Sequence, residues 1–385
     1  MKLRPWKVIL GIVCIPALLV IGAWGMLVTI FLEGQKFYQP LVIVCIGALI
    51  IFALLWAFEL FQTKVRVIAF VSLLAVCVIA VTGYELNRNY NQSIQTMNEQ
   101  GVNLELYSPF GENTKAVRLK EAPALRIAEN LPRLDGATAL YPLYAAFAQA
   151  LYPEKNYETY HSEVMCNTTP EAYDNLIRGQ ADIIFCARPS KQQLEDAKKQ
   201  GVVLKLTPIG REAFVFFGNF KNPVRNLSTR QIQNIYSGKI RNWKEVGGKN
   251  ESIKAFQRPE NSGSQTMLQK LMAGKGLMTP PKEDVVLGMG GIIEETANYR
   301  NYKNAIGFSF LFFATEMVKN EQIRLLSIDG IFPDRTTIRS KTYPLGAEFY
   351  AITAGSKNPN LNQLIEWILS PQGQYLVEKT GYTPL

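Results

Sequence analysis

Histidine is nearly absent: the 385 residues contain one, His161, in the polar stretch Tyr160-His161-Ser162-Glu163. A lone imidazole in such a setting reads as a surface or strand-edge residue. It leaves a serine nucleophile without a convincing base, and no set of His and Cys is present to hold zinc. Carboxylate pairs in a catalytic motif are missing as well, so hydrolytic chemistry and a cofactor have little support. Runs of Lys and Arg are also absent. The net charge of +9 is spread thinly along the chain, which argues against nucleic acid as a partner. Cysteine is sparse, and Cys14, Cys45 and Cys77 lie in apolar runs, where they serve as small apolar side chains. None of them has the small-residue setting of a lipid-anchor site.

Long apolar runs are confined almost entirely to the part before Tyr84. Residues 8–32, 40–58 and 67–81 carry no Lys, Arg, Asp or Glu. A helix of about 20 such residues crosses a hydrocarbon core of roughly 30 Å, and 67–81 is the shortest of the three. Three runs separated by brief polar breaks form a bundle, whereas a cleaved signal peptide has one short run and a cleavage site. Lys2, Arg4 and Lys7 precede the first run, and Lys64 and Arg66 lie between the second and third, so both clusters are expected in the cytoplasm. Three crossings then place everything after about Glu85 outside the cell membrane. Trp6, Trp56 and Tyr84 suit its interfaces.

Residues 86–123 are polar and weakly periodic and read as a tether, with a short strand at 104–107. Beyond Ala124 the pattern becomes strand, turn, helix, repeated. A strand at 131–134 leads through Asp135-Gly136-Ala137-Thr138 into a helix at 139–151; a helix at 170–178 precedes a strand at 181–185 and a helix at 191–200. A second group starts near Arg211, with strands at 213–218, 253–257 and 306–309, helices at 228–237 and 265–272, and a return strand at 348–353. The stretch 361–379 reads as one amphipathic helix. Alternation of this kind predicts an α/β fold with a mainly parallel sheet, whose ligands bind at the carboxyl ends of strands.

Three turns there have a common design. Arg258-Pro259-Glu260-Asn261-Ser262-Gly263-Ser264 offers a forked cation, two hydroxyls and a glycine at a helix start, where unpaired N–H groups and the helix dipole favour an anion. Ordinary N-capping by Ser262 or Ser264 is the plainer reading of the same residues. Gly136-Ala137-Thr138 and Asn167-Thr168-Thr169-Pro170 resemble it, with Pro170 at the first helical position and Thr169 as the cap. Together they converge on a pocket of neutral donors plus one Arg, aimed at a small tetrahedral anion. Cys166 and Cys186 lie at predicted strand ends in neighbouring units, where either a disulfide or two free thiols could stand.

From about Leu131 onward these residues resemble the phosphate-binding proteins of ABC transporters, a branch of the two-lobed periplasmic binding protein superfamily. The matching pieces are Gly136 to Thr138 with Pro142, the segment leading to Ala187-Arg188-Pro189, and Asn222-Pro223-Val224-Arg225-Asn226-Leu227. The most specific is Ile235-Tyr236-Ser237-Gly238-Lys239-Ile240 with Asn242-Trp243, and Arg258 to Ser264 completes the set. The resemblance implies a type II two-lobed fold preceded by three transmembrane helices, with anion contacts from Thr138, the backbone at Ala139, Thr169, Arg258, Ser262, Gly263 and Ser264. Some members carry an Asp at the position of Ala187 that accepts a proton from bound phosphate. Here that acceptor is missing, and Arg188 is expected to bring a second cation to the ligand.

The expected organisation is an anchor at 1–84, a tether at 85–123 and an anion-binding domain at 124–385. Lobe 1 takes about 124–210 and 321–385, and lobe 2 about 211–320. The expected activity is capture of phosphate or a similar oxyanion for an ABC-type importer, with membrane lipid and an ABC permease as partners and no enzymatic step. The alternatives are an anion-sensing or regulatory ectodomain and, third, a hydrolase using Ser262 or Ser264.

Overall fold

The computed structural model of the chain describes residues 5–30, 35–93, 96–97, 103–279, 299–300, 303–317 and 322–385. They fall into two compact units, Met1–Ser93 and Ile94–Leu385.

The first unit holds helices α1 (Pro5–Ile30), α2 (Gln35–Ala57) and α3 (Thr63–Ser93). Each contains a segment long and apolar enough to cross a membrane: Trp6–Thr29, Phe37–Ala57 and Thr63–Asn89, with mean hydropathies of 2.5, 2.7 and 2.6. The third, shortest as an apolar run, is the longest as a helix, since nothing between Tyr84 and Ser93 breaks it. Between helices as apolar as these, close approach at small residues sets the packing. Gly11 provides it: a Cβ there would fall 2.5 Å from that of Ala57 on α2. Trp6 and Trp56 meet edge to face at 6.2 Å, with Lys7 bonded to Glu59 at 2.6 Å beside them. At the other end Tyr84 stacks on Phe37 at 4.0 Å. Lys2 and Arg4, and residues 31–34 of the first loop, lie outside the described residues.

The second unit is built on one sheet with strands β1 (Leu134–Gly136), β2 (Ile183–Cys186), β3 (Lys205–Asn219), β4 (Lys254–Ala255), β5 (Ala305–Phe310), β6 (Ile323–Leu325) and β7 (Gly346–Thr353). Their order is β1-β2-β7-β3-β5-β4, with β6 also on β3. The pairs β1/β2 and β4/β5 are parallel; β7 runs antiparallel to β2 and β3, and β3 antiparallel to β5. The sheet is therefore mixed rather than mainly parallel, because the chain crosses from one half to the other in β3 and returns in β7.

Strand β3 pairs through Lys205–Ala213 with β7 and through Phe214–Gly218 with β5, so one backbone joins two half-sheets. The first half is packed on both faces. Leu134, Phe147, Phe185, Trp367 and Ile368 form a core with helices α4 (Tyr141–Leu151), α10 (Leu361–Leu369) and α11 (Pro371–Thr380), and Tyr173, Leu176, Ile184 and Ile352 form another under α5 (Thr169–Ile177). The second half gathers Phe214, Phe216, Tyr236, Trp243 and Phe308 with α7 (Thr229–Tyr236) and α8 (Gly263–Met272). Leu326, Ile328, Ile338 of helix α9 (Arg335–Arg339) and Tyr343 join this second core, and the Tyr343 hydroxyl donates to Phe214 O at 3.1 Å. The return to the first half thus comes at Gly346, later than the expected 321.

Three local expectations are corrected. Residues Leu104–Tyr107 form a 3-10 turn instead of a strand, because Asn103 Oδ1 accepts the N–H of Glu105. The stretch around it is no free tether: Leu104 and Ala116 are buried in the first core, and Gln372 bonds to the backbone at Ala122 and Ala124. The C-terminal helix is two helices, because Pro371 starts α11 with Ser370 as its cap.

Candidate anion-binding site

The strand ends that face the site are set by a buried carboxylate. Asp135, fully buried in β1, accepts from the N–H of Gly136 and of Asn167, both at 2.8 Å, and from the side-chain amides of Asn167 at 2.9 Å and Asn175 at 2.8 Å. A buried polar group is tolerated only when its lone pairs are met in this way. The consequence is positional: the Gly136 to Thr138 turn and the Asn167 to Thr169 turn are tied to one side chain. The expected strand at 131–134 is displaced to Leu134–Gly136 because Asp135 belongs inside it. Gly136 itself is demanded by packing, since a Cβ would lie 2.5 Å from Phe185 O and 2.9 Å from the Tyr144 ring.

Thr138 begins a short 3-10 turn (Thr138–Leu140) and Thr169 begins α5, both buried. The cap of α5 is Thr168, one residue before the expected Thr169. The carbonyl of Ala139 is taken by the Tyr382 hydroxyl, so only the N–H side of this turn can serve an anion. The first N–H groups of a helix have no partner within it.

The opposing wall comes from the second half-sheet. Ser262 caps α8, accepting from Gln265 N–H, while Gly263 and Ser264 are buried at the helix start. Gln265 turns its side-chain oxygen to the N–H of Arg258 at 3.0 Å, and its amide nitrogen donates to Gln257 Oε1 at 3.1 Å. Arg258 is thereby held half-buried at the head of the turn. The two walls meet at Gly263: a Cβ there would stand 3.5 Å from Thr169 Oγ1, 3.5 Å from Ala187 Cβ and 3.7 Å from the Phe310 ring. Thr169, Ala187 and Gly263 therefore share one small volume at the carboxyl ends of β2 and β5.

Arg188 does not join them. Its side chain is exposed, lies over the Tyr350 ring at 4.9 Å and approaches Glu348 at 3.7 Å. Tyr350 in turn donates to Glu348 Oε2 at 2.7 Å, and its own hydroxyl is pushed up to about 12, first by burial and then by that carboxylate. Cys166 and Cys186 are free thiols. Leu134 pairs with Ile183 on one edge of β1 and with Val164 on the other, so the strand lies between the two cysteines. Two strand spacings, roughly 9–10 Å, exceed the reach of a disulfide. Burial pushes the Cys186 thiol up, and Thr169 and Ala137 lie within its hydrogen-bonding reach.

Reading the residues alone placed Asp135 and Asn167 in their turns but gave no bonding role to them or to Gln257 and Gln265, which bond to the backbone or to one another. The nearest signal was the pattern Ser-x-x-Gln at Ser262 and Gln265, which ordinarily marks a helix cap.

Comparison with known proteins identifies the fold and the family. A family model described as a PBP superfamily domain matches residues 128–372. Among curated relatives, the phosphate-binding protein PstS of Bacillus subtilis is 25% identical over 257 residues, covering 66% of this chain and 80% of its own. PstS of Borreliella burgdorferi is 25% identical over 200 residues, 50% of this chain and 68% of its own. A crystal structure of a putative phosphate ABC transporter substrate-binding protein from Clostridium perfringens, with bound phosphate, shares the fold. Its TM-score is 0.50 at 22% identity, over 68% of this chain and 99% of that one. With the matched model spanning both half-sheets and the turns that meet at Gly263, this chain belongs to the PBP superfamily.

Proposed function

We propose that this chain is a membrane-anchored extracytoplasmic binding protein that captures phosphate, or a similar tetrahedral oxyanion, between two lobes for an ABC-type importer. The observation that carries the reading is the meeting of Thr169, Ala187 and Gly263 at the junction of two half-sheets, with Arg258 held at the head of the same turn. Neutral donors come from Thr138, the N–H at Ala139, Thr169, Ser262, Gly263 and Ser264, and Arg258 supplies the charge. Contact with both walls makes the anion a closing ligand, since it bonds fully only in the closed form. Relatives named as phosphate-binding proteins, and α1 to α3 with their apolar spans, support the reading.

In this reading the anchor is 1–84, the binding part follows it outside the membrane, and Lys7, Lys64 and Arg66 stay in the cytoplasm. Lobe 1 is the half-sheet of β1, β2 and β7, and lobe 2 that of β4, β5 and β6. No carboxylate stands at Ala187, so a proton on the anion is not required and sulfate competes with phosphate. A serine hydrolase is not favoured: Ser262 Oγ is occupied as a cap acceptor for Gln265 N–H, and His161 is exposed. The test is competition calorimetry with phosphate and sulfate on the full chain in detergent. Two oxyanions of comparable affinity support the reading, and rejection of both removes it.

A further inference from the structure

We propose that Asn261 is a positioning residue that latches the cleft shut, joining the turn before α8 to the start of helix α6 (Lys191–Lys199). The proposal rests on the reading above for the identity of the ligand and adds what holds the two walls together.

The lobe-1 half of the latch is a finished capping box. Ser190 N–H donates to Gln193 Oε1 at 2.8 Å, and Gln193 N–H donates to Ser190 Oγ at 3.1 Å. That box needs nothing from lobe 2, yet both of its side chains reach across. The Ser190 hydroxyl donates to Asn261 Oδ1 at 2.7 Å, and Gln193 Nε2 donates to Asn261 O at 3.2 Å. Ser190 and Gln193 are buried and Asn261 is partly exposed, so water is excluded from the lobe-1 side of these bonds.

Asn261 sits at φ +67°, in the left-handed region that glycine enters freely and asparagine tolerates. Glycine would make the same turn with less strain but would bring no side-chain acceptor. Asparagine satisfies both demands at one position, which is why the geometry points to a role beyond the turn. The latch lies two residues from Gly263, at the rim of the anion site, and exists only while the walls are together. Any contact confined to the closed form shifts the population toward it and slows release.

Asn261→Gly in the full chain, in detergent, separates the side-chain half of the latch from the turn, because it keeps the backbone conformation and the carbonyl that accepts from Gln193 and deletes the acceptor for Ser190. One hydrogen bond lost corresponds to roughly a fivefold change. Without phosphate, hydrogen exchange at the first turns of α6 and α8 is expected to rise about fivefold, while the strands exchange as in the wild type. With phosphate, the dissociation rate is expected to rise by a similar factor with little change in the association rate. In the Asn261→Gly background, Ser190→Ala should add only the loss of its cap, less than its effect in the wild type. Wild-type exchange and wild-type release in Asn261→Gly overturn the latch even if phosphate binds. If no phosphate binds but the exchange still rises, the latch stands and the ligand reading falls.

Discussion

Gln265 Oε1 accepts the backbone N–H of Arg258 at 3.0 Å, across seven residues. The chain has Ser-x-x-Gln at three helix starts. At Ser190 and Ser228 the glutamine closes a capping box on the serine N–H. At Ser262 it does not, and the freed oxygen fixes the cation's own backbone. One motif therefore closes a capping box at two helices, while at the third, where Ser262 still caps, its glutamine holds the backbone of Arg258.

That difference separates two substitutions. Gln231→Ala opens the box of α7 and is expected to lower stability by about 0.5–2 kcal/mol with anion affinity unchanged. Gln265→Ala leaves Arg258 N–H and Gln257 Oε1 without this partner and is expected to weaken anion binding about tenfold as well as lower the melting point. Calorimetry paired with thermal melting distinguishes them. Equal affinities in the two variants would contradict the assignment.

Two glycines at the site give opposite expectations. Gly136→Ala drives a methyl against Phe185 O and the Tyr144 ring and should destabilise the fold by about 1–3 kcal/mol or more. Gly263→Ala meets only ordinary contacts and stands at a helix start, so the melting point should hold while anion affinity falls, because the methyl enters the volume between Thr169 and Ala187. A Gly263→Ala protein that binds as the wild type would remove that glycine from the site.

Glu212 lies where β3 passes from one half-sheet to the other, its side chain buried and accepting Phe312 N–H at 2.8 Å. Burial pushes its carboxyl up to about 8. Tyr382 is a titratable group placed near it. The folded state thus holds a proton that the unfolded state, titrating near 4.3, has lost. Stability is full below about pH 4, declines as the pH rises toward 8 and then levels off. Glu212→Gln keeps the acceptor and should abolish that decline. Melting points measured from pH 5 to 9 read the difference, and parallel curves for the two proteins would count against it.

The cysteine assignment has a simple readout. The mass of the intact protein should be the same with and without reductant, and Cys166 and Cys186 should react with a thiol reagent only after unfolding.

Much of the architecture was legible because it rests on local rules. Ser228 and Pro170 mark helix starts whatever surrounds them, and long uncharged runs declare themselves. The crossing strand was only half legible. Residues 213–218 read as a strand, but Pro208 and Gly210 hide its first half, where the register shifts opposite Phe349 and Tyr350 and tolerates the proline. The turn residues proposed for the site could be named from type and spacing. Asp135 and Gln265 could not, since their roles depend on partners 32 and 7 residues away. The position of Arg188 was hidden for the same reason: its neighbours Glu348 and Tyr350 arrive from a strand about 160 residues later, and no local pattern announces them.

The measurement that bears most directly on the account is an isothermal titration of the full chain, in detergent, with inorganic phosphate, alongside Arg258→Ala. The account predicts a saturable heat for the wild type and none for Arg258→Ala, because an anion in a closed cleft loses its charge partner. The absence of heat and of any thermal shift with phosphate, sulfate and other oxyanions would contradict it, as would wild-type binding by Arg258→Ala.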